Sequence, residues 1–301
     1  MTAPTTAPAP SPIPAAASAP APSPSAARAR RVKESPMKRA GTILLVAVTV
    51  LVFALLYGPL LVPIVSSFFT VSHGAVDWSQ PTASAYAALT RNESVLSALR
   101  TTLIVGVSAV VLSVAIATGL ALYVASPEAK GRRFLQFVIF LPFLMPPIIT
   151  GLALLIFFRE INFERSILTV IIGHTVFVLA LVYRTILVRL QSLSGSLVEA
   201  SYDLGASRWQ TFRLVLLPNL TGAMAGGAIL AFALSFDETM ITLLVTGTQS
   251  TLPVRLWAMM RLGFTPDINA LVTLVLLFTT ALCLVAVRFV APAHAASGGD
   301  E

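Results

Sequence analysis

Asp237 and Glu238 stand side by side in the segment ALSFDETM, within an apolar stretch of membrane length. A carboxylate in hydrocarbon is expensive and usually faces a cavity or a partner. The pair therefore marks a candidate gate, and an anionic lining attracts cations. If a helix leaves one membrane face near Ala223 and rises about 1.5 Å per residue, Asp237 lies roughly 21 Å up, in the outer third of a core about 30 Å thick. Adjacent helical residues diverge by about 100°, so one carboxylate would face a pore and the other a neighbouring subunit. Leu230, Ala233 and Met240 share the face of Asp237. The alternative is a helix that ends near Ser235 and uses the pair as an interfacial cap.

Other residue types carry weaker signals. His174 lies in an apolar run and could relay or bind, but a lone membrane histidine more often hydrogen-bonds across a helix interface. Pro142, Pro146 and Pro147 in FLPFLMPPIITG kink a run and free backbone carbonyls, which suits either a gate hinge at Pro146 or simple packing. Gly222, Gly226 and Gly227 recur at close-packing spacing, and Trp78 and Trp257 fit aromatic belts. There is no G-x-x-x-x-G-K-[ST] phosphate loop, no H-E-x-x-H and no G-x-S-x-G, and no carboxylate is placed beside His174. Catalysis by this chain, ATP hydrolysis included, is unsupported, and no metal site is expected.

The second informative stretch is EASYDLGASRWQTFRLVLLP, Glu199 to Pro218. It carries Glu199, Asp203, Arg208 and Arg213, with Arg189 just upstream, and it leaves Trp209 and Phe212 outside any apolar run. Aromatics beside charges suggest a docking surface. Ser196 as N-cap with Glu199 at the third helical position predicts a helix stopping at Gly205, then a short helix over Ala206–Phe212 that ends before Pro218.

The elements that must hold these residues are membrane spans. The chain has 301 residues, 56% of them hydrophobic and 11% charged, with a mean hydropathy of +0.86. That excludes an ordinary soluble domain. The net charge of +7 is spread over span ends and alternate loops, which points to a bilayer and not to nucleic acid. The lone Cys283 builds no disulfide framework or cysteine-based metal site within one chain. Residues 1–39 read as a disordered Ala/Pro-rich arm ending in a basic cluster, and the long uncharged run that follows argues against a cleaved signal peptide. Spans are expected over about 41–69, 98–126, 134–158, 166–187, 221–246 and 267–289. The loop from Thr70 to Ser97 is expected to hold one short interfacial helix, the loop 190–219 is polar, and 291–301 form a tail. Lys130, Arg132, Arg133, Arg184, Arg189, Arg208 and Arg213 fall on the side of the N-terminal arm, so both termini are expected in the cytoplasm.

Two stretches resemble a known family. Glu199-Ala200-Ser201, then Gly205, Val215 and Leu217-Pro218 at their spacing, are similar to the EAA loop of membrane subunits of binding-protein-dependent ABC importers, with Ser201 and Val215 in place of the usual Ala and Ile. The passage from Ser235 to Leu274, with its acidic pair, Thr251-Leu252-Pro253, Trp257 and Asn269-Ala270, resembles the C-terminal part of spermidine/putrescine-type permeases. The resemblance implies an all-α membrane protein of six transmembrane helices, the type I ABC importer permease fold. It further implies a multi-pass protein of the bacterial inner membrane. Glu199, Ala200, Asp203, Gly205, Ala206, Arg208, Trp209, Phe212 and Pro218 would then form a coupling helix seated on a separate ATPase, which binds the ATP and Mg. A second permease subunit and an extracytoplasmic substrate-binding protein would complete the assembly. Asp237, Glu238, Met240 and Pro146 would line the path of a small cationic solute. Permeases of this kind also serve aminophosphonates and iron complexes. An ion-coupled secondary transporter, with the acidic pair binding the coupling ion, is the alternative from another class.

Overall fold

The computed structural model describes residues 36–72, 75–262 and 266–290. The expected disordered stretch up to residue 35 and the tail 291–301 lie outside them. The chain divides into two units at Leu56. The first contributes the opening of α1 (Pro36–Ser66), which starts within the expected arm and carries exposed Ile43, Leu44 and Leu51.

The second unit begins with the rest of α1, whose Pro59 and Pro63 lie inside the helix. The following stretch was expected as loop plus one short helix. The helix is there, α2 (Ser84–Leu89), but it is preceded by an antiparallel hairpin of β1 (Phe69–Ser72) and β2 (Ala75–Pro81), paired Thr70 to Asp77 and Val71 to Val76. Ring contact between Phe69 and Trp78 at 5.1 Å adds a cross-strand pair.

Next come α3 (Glu93–Ala125), α4 (Arg132–Leu144), α5 (Pro147–Glu160) and α6 (Ile167–Ser192). Asn92 caps α3 by accepting from the Val95 amide, and Ser166 and Thr169 form a capping box at α6. The buried stripe of α3, Val105, Ala109, Ser113, Ala117 and Ala121, follows the helical period and is small throughout, so α6 packs closely against it. With Val178, Val182, Tyr183 and Ile186 of α6 and with Leu220 and Ala231 further along the chain, part of this stripe (Ala117 and Ala121) forms the central core.

The third expected span is broken, not merely kinked. α4 and α5 meet at 107°. A residue before proline is pushed out of the helical region, and Met145 precedes Pro146 while Pro146 precedes Pro147. Both are extended, at ψ 145° and 135°.

After α6 the chain runs through α7 (Gly195–Asp203), α8 (Arg208–Thr211), a π-turn over Phe212–Leu216, α9 (Leu217–Asp237), α10 (Met240–Val245), α11 (Leu252–Leu262) and α12 (Pro266–Val290). The fifth span was expected to continue to about 246. Instead α9 stops at Asp237 and the six residues of α10 follow as a separate helix. Among the described residues five helices are long and apolar enough to cross a membrane, six when the bent pair counts as one.

Two close approaches fall on one residue of α10. A Cβ on Gly151 of α5 would lie 3.0 Å from the Ile241 Cα, and one on Gly173 of α6 would lie 2.7 Å from its Cγ2. Ile241, fully buried, thus fills a slot between two glycines. The predicted stripe behaves differently: Gly222 has open space and Gly227 makes only ordinary contact with Thr185.

Candidate functional site

The chemistry-bearing residues fall into two places, the α7–α8 segment and the break between α9 and α10. At the first, α7 begins after Ser194, so Ser196 is inside the helix and not its cap; its hydroxyl meets that of Ser194 at 3.1 Å. The other end is as predicted. Gly205 has φ +80°, its amide reaches the Tyr202 carbonyl at 2.8 Å, and the Ala206 amide reaches the Ser201 carbonyl at 3.0 Å. This pair of bonds is a Schellman closure, with glycine in the left-handed position.

The turn delivers Ser207 as N-cap of α8. The Gln210 amide donates to Ser207 Oγ at 3.3 Å, and the Ser207 amide donates to Gln210 Oε1 at 2.7 Å. The second helix was expected to end before Pro218, but it does not. The Leu217 amide reaches back five residues to the Phe212 carbonyl, and this wide turn lets Pro218 enter without the clash it would make in a regular helix. The Asn219 side chain donates to the Val215 carbonyl at 2.7 Å, and Arg189 Nε of α6 donates to the Asn219 carbonyl at 3.1 Å.

Across the segment, Ser201 and Thr211 are buried with their hydroxyls 2.7 Å apart. The Ser201 proton goes to the Val198 carbonyl at 3.1 Å, so Thr211 is the donor to Ser201. This bond stitches α7 to α8. Outward stand Leu204 at 89%, Trp209 at 65% and Leu214 at 70% exposure, with Trp209 in tilted ring contact with half-buried Phe212 at 5.4 Å. Glu199, Ala200, Asp203, Gly205, Arg208, Arg213 and Pro218 are exposed around them, and Ala206 is half-buried. An apolar knob rimmed by both signs of charge results. Ser201, Thr211, Gln210 and Asn219, unassigned by the sequence reading, are what hold it.

At the second place, the two carboxylates part company. Asp237 is exposed, while Glu238 is 7% exposed and turns back to accept from the Ile241 amide at 2.9 Å. Glu238 therefore caps α10, and Met240, beyond the break, no longer continues the helical face of Asp237. The cap lies inside the packed helices, whereas the sequence alternative placed it at the interface. His174 of α6 bonds both sides of the break, Nδ1 to Ser235 Oγ and Nε2 to Thr242 Oγ1, each at 2.7 Å. Remote in sequence from any carboxylate, it comes within one hydroxyl of Glu238, because Thr242 donates to the Glu238 carbonyl at 3.1 Å. At the far end of α10, the Thr169 hydroxyl lies 2.7 Å from the Val245 carbonyl and 2.6 Å from the Ser166 carbonyl, so its one proton is shared between the two. Beside it, Glu164, Arg165 and Gln249 line an open polar recess of about 690 Å³. Pro146 heads α5, which packs on α10. Among the described residues no three of His, Cys, Asp and Glu gather as a metal site would require.

This architecture, long apolar helices with two broken ones and a knob on a Schellman turn, is that of a polytopic membrane protein. The family described as binding-protein-dependent transport system inner membrane component matches residues 114–292, and the chain belongs to it. Its relatives include the spermidine/putrescine transport system permease protein PotC of Shigella flexneri, 28% identical over 83% of this chain and 94% of that one. The putrescine transport system permease protein PotI of Escherichia coli is 33% identical over 77% of this chain and 85% of that one. Among solved structures, a bacterial ABC transporter involved in the import of the acidic polysaccharide alginate superposes with a TM-score of 0.63 at 17% identity, over 86% of this chain and 98% of that one. The MetNI methionine ABC transporter gives 0.56 at 20% identity, over 70% and 98%. The fold is that of a type I ABC importer permease, the protein is a multi-pass inner-membrane component, and its work is transport without catalysis.

Proposed function

We propose that this permease carries a small polyamine-type cation, spermidine or putrescine, delivered by an extracytoplasmic binding protein. Its partners are a second permease subunit and paired ATPases that bind ATP and Mg. The observation that carries the substrate class is the likeness, across most of both chains, to permeases named for spermidine and putrescine. An exposed Asp237 at a helix break agrees with it: a carboxylate there attracts a cation, while Glu238 is committed to capping.

In this reading the Leu204–Trp209–Leu214 knob, with Glu199, Asp203 and Arg208 on its rim, seats in the ATPase on the cytoplasmic side, where both termini also lie. Apolar residues supply buried area and the charges set register. Movement of the knob reaches the membrane through the unbroken helical run from Arg208 to Asp237, which joins the ATPase contact to the acidic pair.

The test is to co-purify the tagged chain with its partners, reconstitute the assembly into vesicles and follow ATP-driven uptake of radiolabelled spermidine and putrescine. Uptake that Asp237→Asn depresses supports the reading. An assembly that retains its ATPase but neither binds nor transports polyamines refutes the substrate, and a chain that captures no ATPase refutes the docking role.

A further inference from the structure

His174 sits within α6 at 1% exposure. Buried polar groups in such a place must be paired, and both ring nitrogens are. Ser235 lies in the last turn of α9 and Thr242 in the first turn of α10, so a single imidazole spans the break between them.

Counting protons gives the direction of each bond. The one proton of the Thr242 hydroxyl goes to the Glu238 carbonyl. Thr242 therefore accepts from Nε2–H, which leaves the lone pair on Nδ1 to accept from the Ser235 hydroxyl. The donors run one way, from Ser235 through His174 and Thr242 to the Glu238 carbonyl. The chain ends on the residue whose carboxylate caps α10. Glu238 is thus held through both its backbone and its side chain, and Asp237, one residue before it, is left outside.

We propose that His174 is a positioning residue for the transport step, holding the α9–α10 break so that Glu238 faces inward and Asp237 alone is offered to the cargo. The transport half of this rests on the reading of Asp237 as a path residue; the geometric half does not. The imidazole touches no cargo. It acts through two hydroxyls, which no aliphatic side chain can satisfy, whereas a glutamine amide can still donate to Thr242.

The experiment uses the assembled transporter in vesicles, with Cys283→Ser as background and Met240→Cys, at a 41% exposed position just past the break, as reporter for a membrane-impermeant maleimide. His174→Leu is expected to change the labelling rate by roughly three- to tenfold, the range expected for losing one or two interhelical hydrogen bonds in a membrane. His174→Gln should recover part of that change. In the cysteine-free protein, His174→Leu should raise the KM for polyamine uptake by a similar factor while ATPase retention stays at the parental level. Should His174→Leu fail to accumulate, the pair Ser235→Ala and Thr242→Val removes the same bonds and keeps the ring. Unchanged labelling and KM at normal membrane levels would overturn the proposal, as would equal effects of Leu and Gln, which would mean that volume matters and bonding does not. If Asp237→Asn leaves uptake untouched while His174→Leu still shifts labelling, the path reading of Asp237 falls and the positioning of the break stands.

Discussion

Replacing Gly205 separates backbone strain from surface contact in the docking knob. At φ +80° any residue with a Cβ is disfavoured, by about 1–2 kcal/mol for most and less for asparagine, whose side chain tolerates the left-handed region. Nothing lies within 4 Å of the Cβ that a substitution would add, so packing within this chain contributes no further cost. If the turn gives way, two backbone bonds go with it, those from Gly205 to Tyr202 and from Ala206 to Ser201, each worth about 1 kcal/mol net. Gly205→Val should therefore lower the population of the closed turn by about 5- to 30-fold, Gly205→Ala by somewhat less, and Gly205→Asn by little. The assay is the amount of ATPase retained by the tagged permease, scored against membrane level, for all three variants. The expected order of retention is Gly, Asn, Ala, Val. Equal loss with Asn and Val would refute the strain argument and assign the effect to collision of any side chain with the partner.

Further outcomes follow from the same geometry. Ser201→Ala leaves the buried Thr211 hydroxyl without its acceptor and should cost about 1–3 kcal/mol in the thermal stability of the knob; Ser201→Ala with Thr211→Val should recover most of it, as a double-mutant cycle in detergent would read. Glu238→Gln retains an oxygen for the Ile241 amide and should accumulate and assemble normally, whereas Glu238→Leu should lower both membrane level and Tm; equal behaviour would remove the capping role. Gly247→Ala would drive a methyl group into the Arg165 carbonyl oxygen, so the 165–166 turn must move; protease sensitivity of that loop should rise and the Tm fall, and an unchanged Tm would show the loop to be compliant.

Local signals are legible in the sequence. The Gly205 stop depends on one residue's freedom at positive φ, and the break at Met145–Pro146 on the restriction that each proline puts on its predecessor, although its 107° exceeds the kink that proline alone announces. The hairpin at Phe69–Pro81 is hidden because Phe69, Thr70 and Val71 of β1 follow directly on a membrane-length run and β2 carries only Val76 and Trp78 among polar and small residues. The break at Glu238 has no Gly or Pro to signal it. Its cause is a side chain folding onto the amide of Ile241 and a histidine 61 residues from Ser235 and 68 from Thr242, distances over which no periodicity speaks. The helix running on past Pro218 was missed for a related reason: a π-turn is a property of hydrogen-bond register and not of composition. Ser201, read as a conservative departure from alanine, owes its partner to Thr211 on the next helix.

The half-length helices also constrain how the protein is made. At about 1.5 Å per residue, α10 rises only about 9 Å and α5 about 21 Å, against roughly 30 Å of hydrocarbon. Neither can be released into lipid as a span of its own, and α10 has no burial until Gly151 and Gly173 present their slot to Ile241. The ribosome delivers α5 and α6 first, so the socket exists before the wedge emerges. A chain stopped short of Thr239 lacks Ile241 and leaves the slot between Gly151 and Gly173 without the side chain that fills it.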